Sequence, residues 1–323
     1  MKSVVLENEK IKIVEIPRPL LTEKGAIVKV FGCGLCGSDL VKIREKAQNL
    51  KLGHEVVGEI LEIDSDTKFQ VGDVVALGHH YPCFDCDFCN RGHHSQCATF
   101  KNTNIEPCGF SDYIFVSEGH LNNTTFKVPR HLSIDEASFL EPLACCVRSI
   151  RNADLMHGSK VLVVGLGSIG LIMGQAIKAY GHSVFGLDLI DERVDLAKNR
   201  NFDDAYNLKN YELKQEYDAV FMTSGADKAL ETALKAIKNG GKIVVFSSTP
   251  MNSGYPNNEI YYRELTVMGS YSPAPIDLKE SMRLLEENKV NVVSISSEYS
   301  IENLVQAIDD TIKNKILKAF IRL

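Results

Sequence analysis

The sequence predicts an α/β protein of two domains, one mainly β and one built on a doubly wound parallel sheet. Three observations carry this. The first 140 residues are rich in Val, Ile, Gly and Pro and read as short strand-like runs separated by turns. From about Ile134 strands and helices alternate, and the strands are continuously apolar, as in a sheet covered on both faces. The 323 residues suffice for two ordinary domains, and a hydrophobic content of 44% can fill a core in each.

In the first part, Ala26-Ile27-Val28-Lys29-Val30 and Val56-Val57-Gly58-Glu59-Ile60-Leu61 read as strands, and Val71-Gly72-Asp73 reads as a turn. Ile134 to Ile150 carries helical spacing. Lys160 to Val164 is a short apolar strand, followed by a glycine turn and an apolar helix from Leu171 to Tyr180. Then come a strand (Ser183 to Leu187), a helix (Asp191 to Asn199), a strand (Ala219 to Met222), a helix (Ala226 to Lys238) and a strand (Lys242 to Phe246). The tail from about Ser272 holds two helix-like stretches and a final strand, Lys318 to Leu323. The expected boundaries are 1–141 with 272–323 for the first domain and 142–271 for the second. There is no internal repeat and no low-complexity linker.

Charge narrows the partners. The chain has 36 Lys and Arg against 42 Asp and Glu, a formal net charge of -6. That balance argues against nucleic acid or an anionic membrane. The N-terminus lacks the apolar stretch of a signal peptide, and no run of roughly 18 apolar residues occurs. The expectation is a cytoplasmic protein. Nine cysteines, at positions 33, 36, 83, 86, 89, 97, 108, 145 and 146, are an odd number. In a reducing compartment such clusters are metal ligands more often than disulfides.

The glycine turn is Gly165-Leu166-Gly167-Ser168-Ile169-Gly170, directly after a strand and opening a helix. That context gives the motif its meaning: a tight turn at Gly165, close approach of a pyrophosphate at Gly167, and close helix–strand packing at Gly170. The helix start, with Ser168 and Ile169, offers unpaired N–H groups and a positive dipole end. Asp188 ends the next strand, where a carboxylate can accept from ribose hydroxyls and repel a 2′-phosphate, favouring NAD over NADP. Arg193 complicates this, since it can stack on adenine or favour a phosphate.

Cys83, Cys86, Cys89 and Cys97 form C-x-x-C-x-x-C-x7-C within a lobe spanning residues 79–100. Four thiolates suit a tetrahedral zinc and leave no open position, so the site is structural. Phe84-Asp85-Cys86-Asp87-Phe88 cannot build a core alone, so metal must supply the order. An iron–sulfur cluster and disulfide pairing are the alternatives. A second constellation combines the turn Gly32-Cys33-Gly34-Leu35-Cys36-Gly37-Ser38-Asp39, the segment Gly53-His54-Glu55 and the segment Leu140-Glu141-Pro142-Leu143-Ala144. A Cys, a His and carboxylates from separated places suit a catalytic zinc with an open site.

The Gly-Cys-Gly-Leu-Cys-Gly-Ser-Asp turn, the Gly-His-Glu segment, the four-cysteine lobe, the Glu-Pro-Leu-Ala segment and the nucleotide turn, in that order along the chain, closely resemble the zinc-containing medium-chain alcohol dehydrogenases, in particular the sorbitol (polyol) dehydrogenase branch, over nearly the whole chain. The resemblance implies a GroES-like, mainly β catalytic domain and a Rossmann nucleotide-binding domain, with the active site in the cleft. It implies Cys36 and His54 as ligands of the catalytic zinc. Glu55 is a third ligand or a switchable near-ligand, and Glu141 sits at the metal. Asp39 orients His54 through its far ring nitrogen, and Ser38 stands where the family has its proton-relay hydroxyl. It further implies two zinc ions per chain, NAD, and a homodimer or homotetramer, for which Leu265-Thr266-Val267-Met268-Gly269 offers an edge.

The chain departs from the branch in places. The stretch after Cys36 is short and basic, with Lys42, Arg44, Lys46 and Lys51, and an aromatic substrate contact of sorbitol dehydrogenases falls near Lys42. Ser270 stands where the branch has a substrate-binding arginine, while Tyr271 matches its tyrosine. The lysines are either a solvated loop or a pocket for a phosphorylated or acidic substrate. The expected reaction is reversible oxidation of a secondary alcohol, on a polyol or sugar-derived alcohol, with hydride passing to NAD. The alternatives are a threonine- or amino-alcohol-type dehydrogenase, a polyol-phosphate dehydrogenase, and a non-catalytic NAD(H)-binding sensor or structural relative. A zinc-free quinone reductase is disfavoured by the presence of Cys36, His54 and Glu141.

Overall fold

The computed structural model describes residues 1–7, 10–45, 51–226, 228–247 and 256–323. It divides into two compact units. One comprises Met1–Pro142, Ala274–Glu286 and Val292–Leu323; the other comprises Leu143–Pro273 and Glu287–Asn291.

The first unit begins with an antiparallel pair, β1 (Lys2–Glu7) and β2 (Lys10–Glu15). Its main sheet contains β3 (Gly25–Gly34), β4 (Glu55–Asp64), β5 (Val74–Leu77), β6 (Tyr113–Ser117) and β7 (Thr125–Lys127). β3 is central, because it pairs antiparallel with both β4 and β6. Nearly all of its side chains are buried, which explains its run of apolar residues. The core around it includes Val28, Val56, Ile60, Val75, Phe110 and Ile114. Full burial of such a side chain stabilises by about 1.5–3 kcal/mol.

The second unit contains a parallel sheet of β8 (Lys160–Val164), β9 (Ser183–Asp188), β10 (Asp204–Asn207), β11 (Tyr217–Met222), β12 (Ile237–Val245) and β13 (Thr266–Gly269). Its spatial order is β10-β9-β8-β11-β12-β13. The order reverses between β8 and β11, and the glycine turn leaves the end of β8 at that point. Ligands of open α/β sheets bind where the order reverses. The chain then returns to the first unit with β14 (Ser296–Ser300) and β15 (Lys318–Arg322), and β15 pairs antiparallel with β3. Among the described residues no helix is long and apolar enough to cross a membrane.

Several boundaries differ from those read in the sequence. The helical run from Ile134 is two helices, Ile134–Ala137 and Leu140–Ala153. Ser138 Oγ donates to the Asp135 carbonyl at 2.6 Å, a local bond that competes with continuing the helix. The helix expected to reach Lys238 spans Ala229–Ala236. Arg263 ends it by donating to the carbonyls of Leu234 and Ile237, and β12 starts at Ile237 rather than Lys242. β10 and β14, each at one edge of its sheet, carry no apolar pattern and are not anticipated by the sequence.

One buried histidine tunes the first unit. His120 follows β6 and is 1% exposed. Its Nε2 donates to the His79 carbonyl at 3.0 Å, so its Nδ1 accepts from Ser117 Oγ at 2.9 Å. Burial pushes its pKa down from 6.5 to about 4, against the bond to His79, which raises it. The unfolded ring therefore takes up a proton at a higher pH than the folded ring. Stability from this group is complete above pH 6.5 and is lost as pH falls toward about 4. A shift of this size is worth roughly 3 kcal/mol. Denaturant midpoints measured across that window should fall less steeply for His120→Asn than for the wild type.

Candidate metal centres and nucleotide turn

The first centre is assembled by a capping motif. Cys36 is the N-cap of the helix Gly37–Arg44, and its sulfur accepts from Ser38 N at 3.5 Å. Asp39, three residues on, accepts from Cys36 N at 3.2 Å and completes a capping box. The other Asp39 oxygen accepts from Gly53 N at 3.2 Å and faces His54 Nδ1 at 3.6 Å. One fully buried carboxylate thus fixes Cys36 and the segment carrying His54. Burial disfavours its charge, but His54, Lys42 and Gly53 N–H together hold it below the usual carboxylate range.

Cys36, His54 and Glu55 each offer a ligand atom, and these atoms lie within 4.8 Å of one another. His54 Nδ1 and both Glu55 oxygens are buried with no hydrogen-bond partner, although Oε2 has the Lys318 ammonium beside it as an ion pair. Buried polar atoms without partners are costly, and a thiolate, an imidazole and a carboxylate are the donors zinc takes. These residues therefore fit a zinc ion. With Nδ1 turned to Asp39, His54 has Nε2 left for a metal. Burial opposes charge on His54, while Asp39 and Cys36 together raise its pKa well above the usual value. Cys33, in the same turn, is held as a thiol by burial.

Sequence reasoning missed what stands behind Glu55. Lys318, from β15, lies 2.5 Å from Glu55 Oε2, and both side chains are buried. Burial lowers the Lys318 pKa, but Glu55, Cys36 and Glu141 more than offset it, so the ammonium stays charged. Removing one partner of such a pair costs about 3–5 kcal/mol. A side chain on Gly34 would put its Cβ 1.9 Å from Glu55 Oε2, so the pair needs glycine there. Glu141 is buried and its charge reaches Lys318, but it is not in the 4.8 Å group. Ser38 is exposed beside Cys36.

A row of rings, also unforeseen, adjoins the centre. The His54 and His79 centroids are 4.6 Å apart, His79 and His80 are 3.9 Å apart, and His80 lies 4.9 Å from Phe100. Burial lowers the His79 pKa well below its usual value and the His80 pKa to about 4, so both rings are neutral. Of the basic stretch, Lys42 and Arg44 close the last turn of the helix, and Lys51 pairs with Glu106. Lys46 lies outside the described residues.

The second centre is the thiol lobe. Cys83 and Cys89 sulfurs are 3.9 Å apart, Cys86 and Cys89 are 3.6 Å apart, and Cys97 and Cys83 are 3.5 Å apart. Four sulfurs around a zinc at 2.3 Å stand about 3.8 Å from each other. No disulfide joins them. Burial opposes ionisation of Cys97, yet N–H groups of Cys83 and Phe100 pull its pKa down to about 6. The lobe's own core is Cys89, Cys97 and Phe100. Phe84 adopts a φ of 63° between the first two cysteines, a conformation that costs roughly 1–2 kcal/mol. So little burial cannot hold that turn, and four thiols at tetrahedral spacing fit a closed zinc site.

In the second unit, the glycine turn joins β8 to the helix Ser168–Ala179, and no side chain caps that helix. Gly165 has φ 99°, and a Cβ on Gly170 would lie 1.9 Å from the Gly165 carbonyl oxygen. A Cβ on Gly167 would meet nothing within 4 Å, so the backbone there is bare toward a ligand. The uncapped N-terminus with Ser168 and Ile169 fits a pyrophosphate. Asp188 accepts from Leu166 N at 2.6 Å, Leu189 N at 2.7 Å and Ile190 N at 3.0 Å. Arg193 Nη1 lies 3.8 Å from it. A carboxylate has about four acceptor sites, so capacity remains for a ribose hydroxyl. Thr223, which the sequence did not single out, donates to the Gly165 carbonyl at 2.6 Å and braces the turn.

Known proteins carry the same two halves. The family model described as alcohol dehydrogenase GroES-like domain matches residues 22–129, and the one described as zinc-binding dehydrogenase matches residues 168–287. The chain belongs to the zinc-type medium-chain alcohol dehydrogenase family. Sorbitol dehydrogenase of Bacillus subtilis is 27% identical over 347 residues, covering 99% of this chain and 97% of the relative. L-threonine 3-dehydrogenase of Vibrio vulnificus is 26% identical over 322 residues, covering 94% and 92%. The crystal structure of galactitol-1-phosphate dehydrogenase from Escherichia coli superposes with a TM-score of 0.87 at 26% identity, covering all of both chains. The chain is therefore an oxidoreductase acting on alcohol groups.

Proposed function

We propose that this dehydrogenase oxidises a secondary alcohol of a polyol or sugar-derived alcohol to a ketone, reversibly, with NAD as the hydride acceptor and two zinc ions per chain. The observation that carries the reading is the convergence of Cys36, His54 and Glu55. Three protein ligands leave a fourth position for substrate, whereas the four-thiol lobe leaves none. A zinc ion held by the trio supplies Lewis acidity that makes an alcohol easier to deprotonate. Asp39 orients His54 and Cys36 so that the ligands need no rearrangement. Ser38, exposed and next to Cys36, is positioned to pass the proton to solvent. Glu141 adds a negative charge near the centre. Gly165, Gly167, Ser168, Ile169 and Gly170 bind the pyrophosphate, and Asp188 accepts from the ribose with Arg193 alongside. Of the two candidates for third ligand, the 4.8 Å grouping supports Glu55.

The named relatives are dehydrogenases of sorbitol, L-threonine and galactitol 1-phosphate: a polyol, a hydroxy amino acid and a polyol phosphate. A phosphorylated substrate is the second reading. It draws on Lys42, one helical turn beyond Ser38, whose charge reaches Asp39, His79 and His80. A homo-oligomer formed through β13 completes the proposal. β13 is an edge strand, and Val267 on it is 40% exposed.

Four experiments follow from this reading. Metal analysis should find two zinc ions per chain in the wild type and one in Cys36→Ser. That variant should lose at least about a hundredfold in turnover, the upper end seen for losing even an outer partner of a ligand, while NAD binding persists. A panel of polyols, polyol phosphates and amino alcohols, followed by NADH absorbance, should give turnover with a polyol or its phosphate. Asp188→Ala should lower kcat/KM for NAD relative to NADP by roughly ten- to a hundredfold, the worth of bonds to a charged acceptor; an unchanged ratio removes Asp188 from the ribose role. Sedimentation should show Val267→Lys with fewer subunits than the wild type.

A further inference from the structure

Lys318 is a buried cation at a place that, on the reading above, also receives a metal. Its side chain is 4% exposed and that of Glu55 is 1% exposed. Besides Glu55 Oε2 at 2.5 Å, the ammonium reaches only the Leu35 carbonyl at 3.4 Å among hydrogen-bond acceptors described for it, and it lies over the Phe139 ring. The slot is built from three strands. β15 brings Lys318, β4 begins with Glu55, and β3 ends in Gly34, whose missing side chain leaves the room. The two carboxylate oxygens therefore differ. Neither oxygen makes a hydrogen bond of good geometry, but Oε2 is ion-paired with Lys318 at 2.5 Å, while no partner of either kind is described for Oε1.

We propose that Lys318 is a positioning residue that restrains Glu55, leaving it a single oxygen for the metal and making that ligand easy to release. Two effects point the same way. An ammonium on Oε2 opposes a grip through both oxygens. A positive charge this close also repels a divalent cation in water-excluded surroundings, where charges act strongly on each other. Lys318 and a metal therefore compete for Glu55. The proposal rests on the assignment of Cys36, His54 and Glu55 as the catalytic cluster.

The test uses the full-length protein loaded with zinc or with cobalt(II). Zinc release to a chelator from Lys318→Met should be slower by a factor of about ten or more, a ~1.4 kcal/mol step, and the visible ligand-field bands of the cobalt form should shift. Lys318→Arg, which keeps the charge, should restore the wild-type release rate and spectrum. A double variant Glu55→Gln/Lys318→Met buries no unpaired charge and should release zinc at the same rate as Glu55→Gln alone. A purely structural lysine would change thermal stability and leave release and spectrum unmoved, and that result overturns the proposal. So does an arginine variant that behaves like the methionine one, or a double variant that differs from Glu55→Gln. If Cys36→Ser keeps two zinc ions, the cluster assignment fails. If it loses one while Lys318→Met matches the wild type, only the role of Lys318 fails.

Discussion

The Asp39 carboxylate is buried completely and accepts from two backbone N–H groups on different segments, one at Cys36 and one at Gly53. The β3–β4 ladder, in which Gly34 pairs with Glu55, brings the two segments side by side, and the carboxylate fixes their backbones beyond the end of that ladder. The Cys36 segment is the start of a helix, and the Gly53 segment enters a strand with φ of 80° at Gly53. A side chain at Gly53 would meet the Phe110 ring at 2.9 Å, so the turn is available to glycine alone. With both backbones tied to one carboxylate, Cys36, His54 and Glu55 follow in place without further choice. The charge of Asp39 is tolerated because N–H groups and His54 surround it. The centre is thus ordered by hydrogen bonds that the protein itself supplies.

The two cysteine-containing centres solve opposite problems. In the lobe, a three-residue core and a strained Phe84 leave the fold dependent on what the sulfurs hold. At the Cys36 centre the surrounding sheet is already packed, and the donors are presented by a finished scaffold. The rings of His79 and His80 run from His54 to Phe100, so the lobe's packing and the Cys36 centre share one contiguous set of contacts. Neutral rings suit that position, because a protonated imidazole beside a divalent cation would be repelled.

Much of this was legible in the sequence because the deciding signals are local. The cysteine spacing, the glycine turn with Asp188, and the Gly-His-Glu segment each specify their geometry within a few residues. The parallel sheet was readable from apolar runs: β8, β9 and β11 match the expected strands to within two residues, while β12 begins earlier than expected, at Ile237 rather than Lys242. What escaped was long-range or polar. β10 and β14 are edge strands with polar sequences, so no periodicity marks them. Lys318 reads as an ordinary surface lysine until β15 pairs with β3 and turns it inward. Glu55 and Glu141 read alike in one dimension, whereas in space Glu55 is the one grouped with Cys36 and His54 within 4.8 Å. His79 and His80 carry no motif, and their neutrality comes first from burial and then from the neighbouring imidazoles and Lys42.

The pairing of β15 with β3 also sets an order in time. Leu35 and Lys318 are 283 residues apart. At roughly 5–20 residues per second of synthesis, that interval is about 15–60 seconds. Through all of it a nascent chain carries Cys36, His54 and Glu55 without the lysine that restrains the carboxylate. The four lobe cysteines, by contrast, emerge within one short stretch and can close as soon as they leave the ribosome. The two centres therefore mature on different schedules, the closed one early and the exchangeable one only once the last strand has docked.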